Sequence, residues 1–395
     1  MQNRYRVVRG LPDEEPLLDL LNGCFERWGD GRFLNWKYTR PGADTATGYR
    51  IVRDGDLVGF RGMFERVIEG ETGGYEFHVC GDACIAAGHR GQGLYSQIRK
   101  ATESAIERDG SDFCSLFTRK EHVPFEVGLD RGWNYRTLPL YLRVLSPGNV
   151  IPHYARLALD ESGVVAAILD RFGGRITLDT GGDEFRLDRL LDGSTGDPGR
   201  SISIPFPERA TTAAVEIAGS DSLGGSLRRR LSSGRPGPAG DVEIRTRPTV
   251  DEDLLGSMAT LYDEVTNEYD LAFRRSIADV RHLLDHPRRF AVVTARRRDR
   301  IVGAAPVVLT ETADTLEAWV LDTVVADDEA FVALLDGVEE VATARDADML
   351  LMMSDVDPGR EWARIDKQVL MWNSYGVNTR PLETDSLFIG LYDVV

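Results

Sequence analysis

An order of short motifs that occurs twice constrains this chain more than any single run of residues. Asp54-Gly55-Asp56-Leu57-Val58-Gly59 is echoed by Arg298-Asp299-Arg300-Ile301-Val302-Gly303. Asp82-Ala83-Cys84-Ile85 is echoed by Asp322-Thr323-Val324-Val325, and Asp112-Phe113-Cys114-Ser115 by Asp348-Met349-Leu350-Leu351. Arg131-Gly132-Trp133 has its counterpart in Tyr375-Gly376-Val377. The offsets stay between 236 and 244 residues. A common order at a near-constant spacing predicts a duplicated fold, and 395 residues hold two such units with a region between them. The division reads 1–146, a connecting region 147–242 and 243–395. Within the connecting region Ile151–Phe172 has a helical pattern, Arg175–Asp179 and Ser201–Phe206 read as short strands, and Gly219–Asp241 is a Gly/Ser/Pro-rich linker.

The first unit reads as mixed α/β. Apolar Leu17, Leu18, Leu20, Leu21 and Phe25 follow Asp13-Glu14-Glu15, acids that suit a helix N-terminus. An aromatic segment, Phe33–Tyr38, is closed by Pro41-Gly42. Tyr49–Arg53 and Leu57–Glu65 flank Asp54-Gly55-Asp56, a hairpin signal. Tyr75–Ile85 reads as a third strand. Leu94, Ile98, Ala101, Ala105 and Ile106 then mark a helix that stops at Asp109-Gly110. Phe113–Thr118 and Leu138–Leu145 are further strands, with a short helix near Phe125–Gly128.

Composition narrows the function. A formal charge of −17 disfavours nucleic acid or an anionic membrane as a bulk partner. No run reaches the roughly 18 apolar residues of a membrane span, and Met1–Arg9 lacks the apolar core of a secretory signal, so a cytoplasmic location is expected. Cys24, Cys80, Cys84 and Cys114 form no C-x-x-C pair and read as reduced thiols. The cations are 43 arginines against four lysines. Acid excess with few lysines fits either a high-salt cytoplasm or a GC-rich genome.

The run from Gly81 to Ser96 carries the chemistry. It reads as a strand, a glycine-rich loop containing Arg90-Gly91-Gln92-Gly93, and a helix start. Glycines let a ligand approach the backbone, the first helical turn leaves N–H groups unbonded, and Arg90 adds positive charge, so the junction favours a phosphate. A dinucleotide turn fits poorly: Asp112 precedes the next strand, where a ribose-binding acid should follow it.

Arg90-Gly91-Gln92-Gly93 resembles the acyl-CoA loop Q/R-x-x-G-x-G/A of the GNAT superfamily of N-acetyltransferases, and the order of elements over residues 4–145 is similar to that family. The resemblance implies tandem GNAT-like domains, each a twisted mixed sheet flanked by helices, the second one degenerate. It also implies that Ile85 and Ala86 pair with the pantetheine arm, while the amides of Arg90, Gly91, Gln92, Gly93, Leu94 and Tyr95 hold the pyrophosphate of acetyl-CoA. Tyr95 departs from the small residue usual at its position. In the second copy Ala326-Asp327-Asp328-Glu329 replaces the loop; acids there suit a helix dipole and oppose a pyrophosphate.

Strict alternation places His78, Cys80, Asp82 and Cys84 on one strand face. Same-face neighbours lie about 6.6 Å apart, too far to share a zinc at about 2.0–2.3 Å, so no metal is expected. Asp82 is the candidate base, with a structural Asp as the open alternative. The family's thiolate acid, a tyrosine, falls at Gly128, which leaves Tyr95 or Tyr141 to be tested. Trp36 and Tyr38 read either as acceptor-pocket lining or as core, and His122 as a solvated loop residue. The resemblance thus implies direct transfer of an acetyl group from acetyl-CoA to a primary amine of a small molecule or peptide, in a ternary complex. The second domain would shape the acceptor site or a homo-oligomer. The rivals are an enhanced-intracellular-survival type acetyltransferase, whose chain-terminal carboxylate takes part in catalysis, and a non-catalytic acyl-CoA sensor.

Overall fold

Two positive-φ turns show the duplication at its most local level. Asp54 (φ 55°) and Gly55 (φ 104°) close the hairpin of β2 (Thr47–Arg53) and β3 (Asp56–Gly70), and Arg298 (φ 57°) turns between β14 (Arg289–Arg297) and β15 (Arg300–Glu311). Two-residue turns of this hand match the twist of the strands they join. The computed structural model describes residues 5–25, 28–39, 47–70, 73–120, 122–146, 150, 174–179, 184–186, 201–204, 212–217, 242–273, 275–312, 315–359, 362–365, 368–375 and 387–394. Pro41-Gly42, Ile151–Phe172, Gly219–Asp241 and Gly376-Val377 lie outside them.

The first sheet begins with β1 (Arg6–Arg9), β2, β3, β4 (Gly73–Ile85) and β5 (Phe113–Arg119) side by side. Helix α1 (Glu14–Cys24) and α2 (Gly31–Tyr38) cover one face, where Leu17, Leu21, Leu34 and Tyr38 pack on Phe60, Phe64 and Val79. Helix α3 (Leu94–Asp109) covers the other through Leu94, Ile98 and Ile106, and ends at Gly110 with φ 80°, a left-handed cap. α4 (Val123–Asp130) follows β5.

The second sheet repeats this order with β12 (Val242–Arg247), β14, β15, β16 (Leu316–Val320) and β18 (Met349–Met353). α5 (Glu252–Thr266), α6 (Ile277–Leu284) and α7 (Asp328–Thr343) stand where α1, α2 and α3 stand in the first. The echoed aspartates do the same work in both. Asp112 Oδ2 accepts from the Glu76 amide at 3.0 Å, and Asp348 Oδ2 from the Leu316 amide at 2.8 Å.

The sheets exchange strands. β6 (Asn134–Thr137) stays in the first sheet, but β7 (Leu140–Val144) pairs antiparallel with β18 of the second, Leu142 opposite Leu351. In return β20 (Gln368–Ser374) inserts between β5 and β6, Leu370 opposite Phe117. β19 (Ala363–Ile365) completes the second sheet beside β7. The seam buries Phe77, Phe113, Leu142, Met349, Leu351 and Trp372 in one cluster.

A second contact joins α2 to α5 and α6, with Phe33 and Trp36 among Leu254, Met258, Leu261 and Leu283. Trp36 Nε1 donates to the His282 carbonyl at 2.8 Å, while His282 Nε2 lies 2.7 Å from the Trp36 carbonyl. In the connecting region β8 (Gly174–Asp179), β9 (Glu184–Arg186), β10 (Ser201–Ile204) and β11 (Thr212–Ile217) form a separate antiparallel sheet. Short α8 (Leu391–Val394) tucks back against both large units. Among the described residues no helix is long and apolar enough to cross a membrane.

Candidate active site

The site begins where β4 and β5 part. The strands pair in parallel only from Phe77 opposite Phe113 to Cys80 opposite Leu116. Beyond that point β4 continues on β3 as far as Ile85, and β5 continues on β20 as far as Arg119. A wedge is left between them, and a cleft of about 450 Å³ occupies it.

A bulge shapes its edge. Phe60 pairs with Cys84 but Gly62 with Gly81, so β4 carries one extra residue there, and Asp82 takes φ 49°. The extra residue breaks the expected alternation: Cys80 packs on the α3 side with Met63 and Ile106, whereas Cys84 packs on the α1/α2 side with Val79 and Phe60. Asp82 also turns to the α2 side. Tyr38 Oη donates to its Oδ2 at 2.8 Å; Lys37 Nζ and Trp28 Nε1 donate to its Oδ1 at 2.9 and 3.0 Å. The Asp82 and Lys37 side chains are 8 % and 10 % exposed. Burial first, then the Asp82 charge, hold the Tyr38 phenol well above its ordinary range, so it remains the donor.

Above the wedge lies the glycine loop. The Ala86 amide donates to the Val58 carbonyl, and its own carbonyl accepts from the His89 amide as the 3₁₀ turn Ala87–His89 begins. Both backbone groups of Ala86 are therefore used inside the protein. Antiparallel pairing alternates, so the Ile85 N–H and C=O point away from β3 into the wedge, where Arg90 Nε holds the carbonyl at 2.9 Å. Gly91 and Gly93 have φ 73° and 72°, and a Cβ on either would meet nothing within 4 Å. Gly93 is the N-cap of α3 and offers the first turn no side chain. The amides of Leu94 and Tyr95 lie in the first turn at the positive end of the helix, where no intrahelical acceptor and no N-cap side chain is available. Tyr5 Oη pins the loop from outside, 3.0 Å from both His89 Nδ1 and Gln92 Oε1.

The counterpart in the second sheet is closed. Asp327 caps α7 by accepting from the Ala330 amide at 2.9 Å, and Arg297 pairs with Asp327 and Glu329 at 2.8 Å each. A carboxylate of the chain itself fills the place that Gly93 leaves open.

The remaining sequence candidates divide. Tyr95 and His122 line the cleft, His122 as the exposed N-cap of α4. Tyr141 does not: β7 carries it into the second sheet, where it is buried among Val307, Val320 and Leu350. Trp36 is buried between the units. At Gly128 a Cβ would fall 2.5 Å from Met371 Cε of the inserted β20, so a larger side chain there would displace that strand's packing. Sequence reasoning missed Trp28, Lys37, Arg61 and Asp393, all of which line the cleft. Lys37 had one signal, being one of only four lysines.

No family model and no curated protein matches the sequence. Solved structures do match. N-myristoyltransferase of Saccharomyces cerevisiae with bound myristoyl-CoA aligns with a TM-score of 0.56 and 10 % identity over 94 % of this chain and 79 % of that one. A probable N-acyltransferase from Enterococcus faecalis V583 gives 0.53 and 10 % over 95 % and 73 %. This chain has a tandem GNAT-like fold. A GCN5-related N-acetyltransferase from Anabaena variabilis, at 0.51 and 12 % over 95 % and 74 %, spans both GNAT-like units as well. In these terms the wedge and the open loop belong to the first GNAT-like unit, and the self-capped loop to the second.

Proposed function

We propose that this chain is an acyl-CoA-dependent N-acyltransferase whose first GNAT-like unit binds acetyl-CoA and passes its acetyl group directly to a primary amine of a small molecule or peptide. The observation that carries the reading is that Tyr95, in the first turn of the uncapped α3, lines the wedge cleft. In this reading the first-turn amides of α3 hold the phosphates and the Ile85 N–H, which points away from β3, is left for the pantetheine arm, while the Ile85 carbonyl is taken by Arg90 and Cys24, and Asp82 lines the cleft. The residues fit the cofactor: positive-φ glycines and a bare helix start make a cradle that a side chain would obstruct. Acetyl-CoA would supply the activated thioester; the protein must position it, accept a proton from the amine and protonate the leaving thiolate.

Asp82 is the proton acceptor in this reading. Its carboxylate has about four lone-pair directions, of which the three donors take three, and the residue lines the cleft. Tyr95, whose phenol burial first of all keeps above its ordinary value and hence protonated, lines the cleft as the candidate acid. The second unit closes the acceptor side through α8, which sets Asp393 in the same cleft, locked by Arg275 at 2.9 Å. Thiol release from acetyl-CoA across a panel of primary amines tests the function: amine-dependent release supports transfer, and binding without release under every amine makes the chain a sensor.

A further inference from the structure

The cleft holds a charge that the transfer just described does not use. Before the bulge, β3 sends Phe60, Gly62 and Phe64 toward α2 and Arg61 and Met63 toward α3. Arg61 is 1 % exposed, lines the cleft, and its Nη1 has no hydrogen-bond partner. Leaving a buried guanidinium N–H unsatisfied is costly.

No carboxylate in the surroundings is free to neutralise it, and the Cys80 thiol does so only in part. The nearest carboxylate across α3, Glu103, is already held by Arg99 at 2.7 Å and 2.8 Å and by Arg131 at 2.9 Å. The other neighbours are weak acids. Tyr95 and Cys114 are pushed upward and stay neutral, and Cys80, 3.7 Å from Cys114, is brought to about 7 by that hydrogen bond first and by Arg61 after burial is offset. Elsewhere in the cleft Lys37 pairs with Asp82, while Asp393 shares Arg275 with Asp322. Arg66, which opens on the same cleft, also has an unpartnered Nη2. In a chain of net charge −17 the residues lining the wedge are nonetheless cationic in balance, with Lys37, Arg61, Arg66 and Arg119 against the carboxylates of Asp82 and Asp393.

We propose that the wedge receives a ligand bearing a carboxylate, held by the unpartnered Nη1 of Arg61. The two unpartnered N–H bonds of Nη1, on a cation, suit the oxygens of a carboxylate. A phosphate already has its own site at the loop, lined by amides and outside the sheet. The carboxylate has two chemical sources, the acyl group of a dicarboxylic acid monothioester or the amine acceptor itself. The proposal rests on the acyl-CoA reading and names its substrate class.

Two matched pairs test it on the full chain by calorimetry. Succinyl-CoA is compared with butyryl-CoA, and 4-aminobutyrate with butylamine in the presence of CoA; each pair differs essentially in one carboxylate. The expected result is at least tenfold tighter binding of the carboxylated member in one pair, the pair identifying the source. The preference should vanish in Arg61→Met and persist in part in Arg61→Lys, which keeps the charge. The wild-type comparison stands even if Arg61→Met does not fold. Equal affinity or no binding within both pairs, while acetyl-CoA still binds, overturns the carboxylate site alone. Failure of every CoA thioester to bind removes the acyl-CoA reading beneath it.

Discussion

At Asp82 a single residue joins the backbone of the wedge to its chemistry. The bulge gives it a left-handed φ and swings its carboxylate to α2, where Lys37, Trp28 and Tyr38 all donate to it. Gly62 makes room for this: a Cβ there would lie 2.5 Å from the Tyr38 hydroxyl. Asp82→Asn leaves Lys37 buried without its counter-charge, and breaking a buried pair in this way costs about 3–5 kcal/mol. If Asp82 also takes the amine's proton, the variant should lose at least tenfold in turnover near pH 7, with acetyl-CoA affinity little changed. The loss should shrink at high pH, where the amine is already neutral. A pH–rate profile with the same loss at every pH would leave Asp82 a positioning residue only. The sequence made Asp82 a candidate but could not place its partners, because the bulge depends on how β4 registers against β3.

Among the elements, α2 and α6 are the counterparts that clamp the two units together. Their rings stack, Trp36 on His282 at 4.9 Å, and His282 Nδ1 lies 2.9 Å from the Tyr392 hydroxyl. With a carbonyl 2.7 Å from Nε2, that nitrogen carries the proton and Nδ1 accepts. Burial lowers His282 to about 4 and, with Arg288 adding to it, His286 to about 3. In the unfolded chain both return to about 6.5. Between those values the unfolded state binds protons that the folded state excludes, so this contribution to stability is complete above about pH 6.5 and is lost as pH falls toward 4 and 3. His282→Gln, which keeps a donor for the Trp36 carbonyl, should melt lower at pH 7.5 yet lose less on going to pH 5 than the wild type does. Parallel melting curves at the two pH values would contradict the clamp. Of these elements the loop, α3 and its Gly110 stop were legible locally, since positive-φ glycines and apolar spacing are written in consecutive residues. The α2–α6 clamp was not, because Trp36 meets a histidine 246 positions away.

Across the whole molecule the duplicated order was legible, and the exchange of strands was not. β7 and β20 have ordinary strand sequences, and nothing in them says which sheet they join. Met371 shows the consequence: it comes from β20 yet packs against Gly128 of α4, where the sequence resemblance looked for an acid. Each sheet is completed by the other half of the chain, so the two units share one folded body even though their loops have diverged. In the first, Gly93 leaves the helix N-terminus bare; in the second, Asp327 and Arg297 fill it. The central claim is that the first loop alone takes the pyrophosphate of acetyl-CoA. Calorimetric titration of the full chain with acetyl-CoA, beside Gly93→Glu, tests it most directly. The expected result is one site per chain in the wild type and none in Gly93→Glu, with both proteins melting alike in the absence of ligand. Two equivalent sites, or an unchanged affinity in Gly93→Glu, would contradict it.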